Sequence, residues 1–233
     1  TMQYNRRELL AGVSRIGAHH LVRGFPASNA NLIVGASSRI ITPNPLLPVS
    51  GGMGPTRPSN TKRGELNVRS IYFRSGDTSL VIVSLDLLGF PSVLGNRIRN
   101  KVPRIPADHI LIGSTHTHSA PDCYAFPDGR GGHTGDLGYM DFVCNRAAEA
   151  INESIDKAEA ATLKIATGEA KGKIAYNYYA PDLYDRRMSV IQATAIGGKS
   201  IATLVNYAVH PEVIGNSQGI LSPDLVGPMY DRI

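Results

Sequence analysis

Apolar residues fall along this chain in short runs, and the spacing inside each run sorts the elements. "NLIVGASSRIIT" (31–42) reads as a first strand. It is stopped by "TPNPLLPVSGGMGP", where Pro and Gly exclude regular structure. "VRSIYFRSG" and "SLVIVSLDLL" are β-rich runs meeting at the short turn "SGDT", which predicts a hairpin. "SVLGNRIRNKV" (92–102) reads as a short helix, and "HILIGST" (109–115) as an interior strand, continuous in its apolar residues. The clearest helix covers 139–158. There Tyr139, Phe142, Val143, Ala147, Ala150, Ile151 and Ile155 recur at three- and four-residue spacing on one face. "ATLKIATGEA", "MSVIQATAI" and "SIATLVNYAV" are three further strands, with "AIGGKS" as the turn between the last two. After "LSPD", residues 223–233 begin a helical pattern with Ser222 or Asp224 as cap.

Strands and helices mix without strict βαβ alternation. The expected fold class is therefore α/β (α+β), a mixed β-sheet core flanked by helices. Residues 31–233 are read as its domain, and residues 1–30 are set apart from it. The hydrophobic fraction of 42% and the charged fraction of 18% are those of a globular chain with a core. No apolar run approaches the length of a membrane span.

Charge changes this picture little. The formal net charge is +5, but the basic residues are scattered, and the densest late group, Arg97, Arg99, Lys101 and Arg104, reads as a solvated helix face. With no Trp, and without aromatics interleaved among basic residues, the chain lacks the pattern of a single-strand reader, so no nucleic-acid partner is expected. A mildly basic surface suits peripheral contact with an anionic membrane. "NRRELLAG" (5–12) has the twin arginines of an export signal, and "ASNA" (27–30) offers small residues for cleavage. The expectation is an extracytoplasmic protein, periplasmic or secreted; the alternative is an ordinary charged N-terminus and a cytoplasmic one. Cys123 and Cys144 are too few for a disulfide framework, and either pair or stay free.

The chemistry gathers at strand ends. "HILIGSTHTHSAPD" puts His116 and His118 two residues apart, and in an extended chain such side chains share a face. Two imidazoles on one face can bind a transition metal, most commonly Zn2+; taken alone, such a pair is more often two hydrogen-bonded structural histidines. "LVNYAVHPEV" repeats the arrangement: His210 ends an apolar run and is followed by Pro211. Rigid strands hold such ligands while the loops beyond open to solvent. Asp86, Asp122, Glu212 and Asp224 supply carboxylates near these ends, either as ligands or as acceptors for a ligand's second N–H. The glycine-rich stretch at Gly51, Gly52 and Gly54 lacks the Lys-Ser/Thr ending of a P-loop and reads as a flexible loop passing near a site. His109 reads as a surface residue, and His133 lies in a Gly-rich loop.

In that order, "GASSRIITP", "VIVSLDLLG", "ILIGSTHTHSAPD" and "GKSIATLVNYAVHPEVIGN…LSPDLVG" resemble the N-terminal catalytic domain of the neutral/alkaline non-lysosomal ceramidases, and the shorter bacterial proteins grouped with them. The resemblance covers about residues 31–233 and rests on "THTHSAPD" together with "NYAVHP". It implies a zinc-dependent amidohydrolase that cleaves the N-acyl bond of ceramide to sphingosine and fatty acid. It further implies His116 and His210 as zinc ligands and His118 as the catalytic residue facing the amide oxygen. The family completes its zinc site with a Glu and a Tyr far downstream, and carries a serine in a Gly-Asp-Val-Ser-Pro-type motif. With no such motif after His210, the chain is expected to be the front part of a longer protein, or to use Asp86, Asp122 or Asp224 as second-shell or substitute groups. The Asn-Arg pair usual between the family's two His motifs is replaced here by Asn177 followed by Tyr178.

The leading expectation is thus a Zn2+-dependent hydrolase of linear amides, with a ceramide-like lipid or a smaller amide as partner and little turnover from this chain alone. The alternative is a non-catalytic member or fragment that binds a lipid, glycan or protein.

Overall fold

The computed structural model describes residues 31–172 and 174–233. The expected leader, with His19 and His20, lies outside the described residues. Nine strands occur among them: β1 (Leu32–Ile40), β2 (Thr61–Lys62), β3 (Asn67–Ser75), β4 (Thr78–Leu85), β5 (Ile110–Ser114), β6 (Glu159–Glu169), β7 (Arg187–Ala195), β8 (Ser200–Tyr207) and β9 (Ile220–Leu221). The helices are Ser92–Asn100, Leu137–Asp156 and the short Val226–Tyr230. By hydrogen-bonded neighbours, seven of the strands run β5-β4-β3-β1-β6-β7-β8. The chain divides into two compact units, residues 31–160 with 210–232, and residues 161–209.

In the larger unit β1 pairs antiparallel with β3, from Leu32↔Ser75 to Ile40↔Asn67. β3 and β4 form the expected hairpin, closed at Ser75↔Thr78. β5 pairs parallel with β4, from Val81↔Ile110 to Leu85↔Ser114. A parallel pair cannot be closed by a tight turn, so the chain crosses over through the helix Ser92–Asn100. The first residues of β6 join the other edge, pairing Ala160 and Glu159 with Ile33 and Val34 of β1. The result is a mixed sheet flanked by helices, an α/β fold. β2 and β9 form a separate two-residue parallel pair that draws Ile220 and Leu221 to Thr61 and Lys62.

The helix Leu137–Asp156 starts two residues before the expected 139. Asp136 caps it by accepting from the Tyr139 N–H at 2.7 Å. Its buried stripe is Tyr139, Met140, Val143, Cys144, Ala147, Ala148, Ala150, Ile151 and Ser154, packed on β1 and β3. Phe142, expected on that stripe, is 38% exposed at its rim. At Gly35 an added Cβ would lie 1.9 Å from the Ser154 carbonyl oxygen, so only glycine lets the helix end approach β1 this closely. Ser37 donates to Glu153 at 2.5 Å, and Arg39 also pairs with Glu153. Of the basic group near the first helix, Arg97 pairs with Asp141 at 2.8 Å and Arg104 with Asp156 at 2.7 Å. Arg99 donates to the Ile110 carbonyl at 3.0 Å.

One local expectation is corrected. The C-terminal helix is only Val226–Tyr230, with Leu225 at its N-cap and no side-chain capping bond. Asp224 and Ser222 are drawn into tertiary contacts instead, described below. Cys123 and Cys144 are buried free thiols, and burial pushes both pKa values up.

In the smaller unit β6, β7 and β8 form an antiparallel meander, β6 pairing with β7 from Ala161↔Ala195 to Glu169↔Arg187 and β7 with β8 from Met188↔Tyr207 to Thr194↔Ser200, with a register shift between Ala193 and Thr194. The "AIGGKS" turn falls where expected, between β7 and β8. Ala170, Ile174 and Met188 form its small core.

Candidate metal centre

β5 ends at Ser114, so "THTHS" is not a continuing strand. The backbone turns at His116, whose φ of 67° lies in the left-handed region that non-glycine residues seldom occupy. Two bonds hold it there. Its N–H donates to the Leu87 carbonyl at 3.0 Å, and its ring Nδ1 lies 2.6 Å from the Leu88 carbonyl. The His118 N–H donates to the Pro211 carbonyl at 3.2 Å, and its Nδ1 lies 2.9 Å from the Gly51 carbonyl. Pro211 follows His210, so that backbone bond fastens the second histidine motif to the first.

The three rings meet. Their centroids are 4.9 Å apart for His116 and His118, 4.6 Å for His116 and His210, and 5.3 Å for His118 and His210. One nitrogen of each lies within 4.8 Å of the others. His116 and His118 are half-buried and His210 is exposed. A carbonyl oxygen only accepts, so Nδ1 of His116 and of His118 must carry the proton, leaving each Nε2 with a lone pair. His118 Nε2 is buried and has no hydrogen-bond partner. Burial lowers the His118 pKa, and Glu212 and the Gly51 carbonyl oppose that shift. A trio of imidazoles, two with Nδ1–H fixed on carbonyls and one with an orphaned buried lone pair, fits a transition-metal ion.

The expected carboxylates are placed elsewhere. Asp122 accepts from the Tyr124 and Phe126 N–H groups at 2.7 and 2.8 Å and from the Thr134 hydroxyl at 2.6 Å, shaping the loop after the motif. Asp86 accepts from the Asn67 N–H, Arg69 and the Tyr230 hydroxyl at 2.9, 3.1 and 2.8 Å. Asp224 accepts from the Val213, Ile214 and Leu225 N–H groups at 3.1, 2.7 and 2.6 Å, pinning the segment after His210. None of the three belongs to the cluster. Glu212 stands closer, with its carboxylate oxygens 3.6 Å from His118 Nδ1 and 3.7 Å from His210 Nδ1. His133 is exposed, and His109 closes a short 3-10 turn before β5.

Sequence reasoning missed the two carbonyls, Leu88 and Gly51, that orient the imidazoles. The glycine cluster was the available signal for the second. An added Cβ on Gly51 would meet the Asn216 side chain at 2.6 Å, so a bare backbone lets that carbonyl reach the ring. Ser119 and Ser222, both buried, brace the surroundings. The Ser119 hydroxyl donates to the Gly215 carbonyl at 3.0 Å, and the Ser222 hydroxyl donates to the Arg63 carbonyl at 2.8 Å.

No protein-family model and no curated protein sequence matches the chain. Among solved structures it is similar to the neutral ceramidase of Pseudomonas aeruginosa, with a TM-score of 0.67 and 16% identity over 84% of this chain and 35% of that one. It is likewise similar to a ceramidase complexed with C2, with a TM-score of 0.66 and 17% identity over 84% of this chain and 34% of that one. The chain therefore has a ceramidase-like fold and spans about a third of the length of those chains.

Proposed function

We propose that this chain carries the metal centre of a zinc-dependent amidohydrolase that cleaves an N-acyl amide bond, with a ceramide-like lipid as the leading substrate. The observation that carries the reading is the convergence of His116, His118 and His210 from two distant segments of sequence. The ceramidase-like fold supports the substrate class. The twin arginines near the N-terminus support an extracytoplasmic site of action.

His116 and His210 would hold the ion, and His118 would be the catalytic residue. When bound, zinc supplies Lewis acidity and lowers the pKa of a water from 15.7 toward about 7, which an unreactive amide requires. His118 Nε2 is an acceptor while the ring is neutral, because the Nδ1 proton is engaged on Gly51. A neutral His118 can therefore take a proton from water. Donation to the amide oxygen, the role the resemblance implies, requires the imidazolium, which burial opposes. One observation favours a second reading of this residue: an orphaned, buried Nε2 is also what a third ligand offers.

Elemental analysis of the protein and its single variants tests both readings. The expected result is about one zinc per chain, lost in His116→Ala and in His210→Ala. In His118→Ala, retained zinc with lost hydrolysis of an N-acyl lipid makes the residue catalytic; lost zinc makes it a ligand. Tight zinc in His210→Ala would sink the proposed centre. Absence of metal from every form would make a non-catalytic ligand-binding protein the better account.

A further inference from the structure

His116 and His118 each have a backbone carbonyl at Nδ1, which fixes the proton there. His210 has no such carbonyl among the described residues, and its side chain is 66% exposed. What stands at its Nδ1 is Glu212 Oε2, at 3.7 Å, while Oε1 of the same carboxylate lies 3.6 Å from His118 Nδ1. These are ion-pair separations, longer than hydrogen bonds.

The backbone beneath this carboxylate is pinned on both sides. The Glu212 N–H donates to the His210 carbonyl at 3.0 Å, and the Pro211 carbonyl accepts from the His118 N–H at 3.2 Å. Downstream, Asp224 holds the Val213 and Ile214 N–H groups, and Ser119 holds the Gly215 carbonyl. Glu212 is therefore presented on the outer side of two rings by a fixed turn, with only its side-chain torsions left to close the last fraction of an ångström.

We infer that Glu212 is the positioning carboxylate of the centre: it holds His210 in the Nδ1–H tautomer, so that the Nε2 lone pair faces His116 and His118. The inference rests on the metal-centre reading. Its physical basis is that an anion beside Nδ1 attracts the N–H dipole and raises the basicity of the opposite nitrogen, completing for His210 what carbonyls do for the other two rings. It is not a ligand in this arrangement, since both oxygens face Nδ1 atoms.

The test uses Glu212→Ala and Glu212→Gln, the latter keeping an acceptor oxygen without the charge. Ring 15N NMR of the metal-free proteins, above the histidine titration range, reads the tautomer of His210. Competition with a chromophoric chelator reads zinc affinity, and thermal unfolding shows that the variants stay folded. The expected result is Nδ1–H in the wild type, a shift toward Nε2–H in Glu212→Ala, and zinc binding weakened about 10–100-fold there and less in Glu212→Gln. A Glu212→Ala protein with the wild-type tautomer ratio and zinc affinity within about threefold of wild type overturns the inference. A wild type that binds no zinc, but whose His210 tautomer still follows residue 212, refutes the metal reading and leaves the positioning role standing.

Discussion

At Gly51, the carbonyl holds His118 at 2.9 Å, while an ideal Cβ would sit 2.6 Å from both Cβ and Cγ of Asn216. Gly51→Ala is therefore expected to displace that carbonyl and free the His118 ring. On the proposed zinc-centre reading, zinc affinity should fall about 10–100-fold, as for loss of an outer hydrogen-bond partner. Because the collision includes the Asn216 Cβ, the double variant Gly51→Ala/Asn216→Gly should recover affinity. A chelator-competition series over the three proteins checks this, and a double variant as weak as Gly51→Ala would show that Asn216 is not the obstacle. His116 shows how far residue-level reading reaches. The "THTHS" motif marks two of the three histidines of the cluster, but the extended alternation expected to align them does not exist. A left-handed turn at His116, costing about 1–3 kcal/mol and held by the Leu87 and Leu88 carbonyls, does that work.

Among the elements, the helix Leu137–Asp156 was legible because three- and four-residue spacing is a local property of the chain. Its fastening to β1 was not. Glu153 receives Ser37 from β1 at 2.5 Å, together with Arg39 and, from the C-cap of its own helix, Lys157. Hydrogen bonds from Lys157, Ser37 and Arg39 hold its pKa at about 2, below the ordinary 4.5. A carboxylate depressed in the folded state contributes stability above its ordinary pKa and loses it as pH falls through the folded value. The wild type should therefore be more stable than Glu153→Gln at neutral pH, with the gap narrowing below about 4.5 and closing near 2. Urea unfolding of both proteins across that range measures the gap, and a pH-independent difference would remove ionisation as its cause. The helix expected after "LSPD" shows the converse. Asp224 has the chemistry of a cap, yet Val213 and Ile214 compete for it and take it.

At the scale of the larger unit, Asp86 ties the end of β4 to β3 and to the C-terminal segment. It is fully buried, accepts from Tyr230 at 2.8 Å, and shares Arg69, whose guanidinium lies 3.3 Å from the Tyr230 ring centroid. Burial raises the Asp86 pKa above 3.8, while Arg69, the Tyr230 hydroxyl and the Asn67 N–H pull it back. A carboxyl raised in the folded state favours folding below its ordinary pKa and loses that contribution as pH rises. Tyr230→Phe removes one of the groups that stabilise the ionised form, so its cost should grow from acid to neutral pH. About 1–3 kcal/mol is expected at neutrality. Unfolding at both ends of the range tests this, and an equal cost at each would mean that the hydroxyl does not act through the Asp86 charge.

The sequence by itself determined the elements whose signal is local: the β3–β4 hairpin, the long helix and the meander turn at "AIGGKS". It marked β5 as a strand, but as an interior one, whereas β5 ends the strand order and its Leu111 is 60% exposed. It also supplied the histidines, since an imidazole is a rare side chain and its placement after an apolar run stands out. Tertiary structure alone decided that His210 reaches His116 and His118, because that contact depends on how segments far apart in the chain pack. It alone selected the Leu88 and Gly51 carbonyls as ring partners, since every residue carries a carbonyl and no side-chain pattern marks which one will face an imidazole. It also sorted the acids. Asp86, Asp122 and Asp224 are equivalent candidates in a string of letters, but all three are buried and nearby N–H and O–H donors claim their oxygens, and Glu212 is left beside the rings.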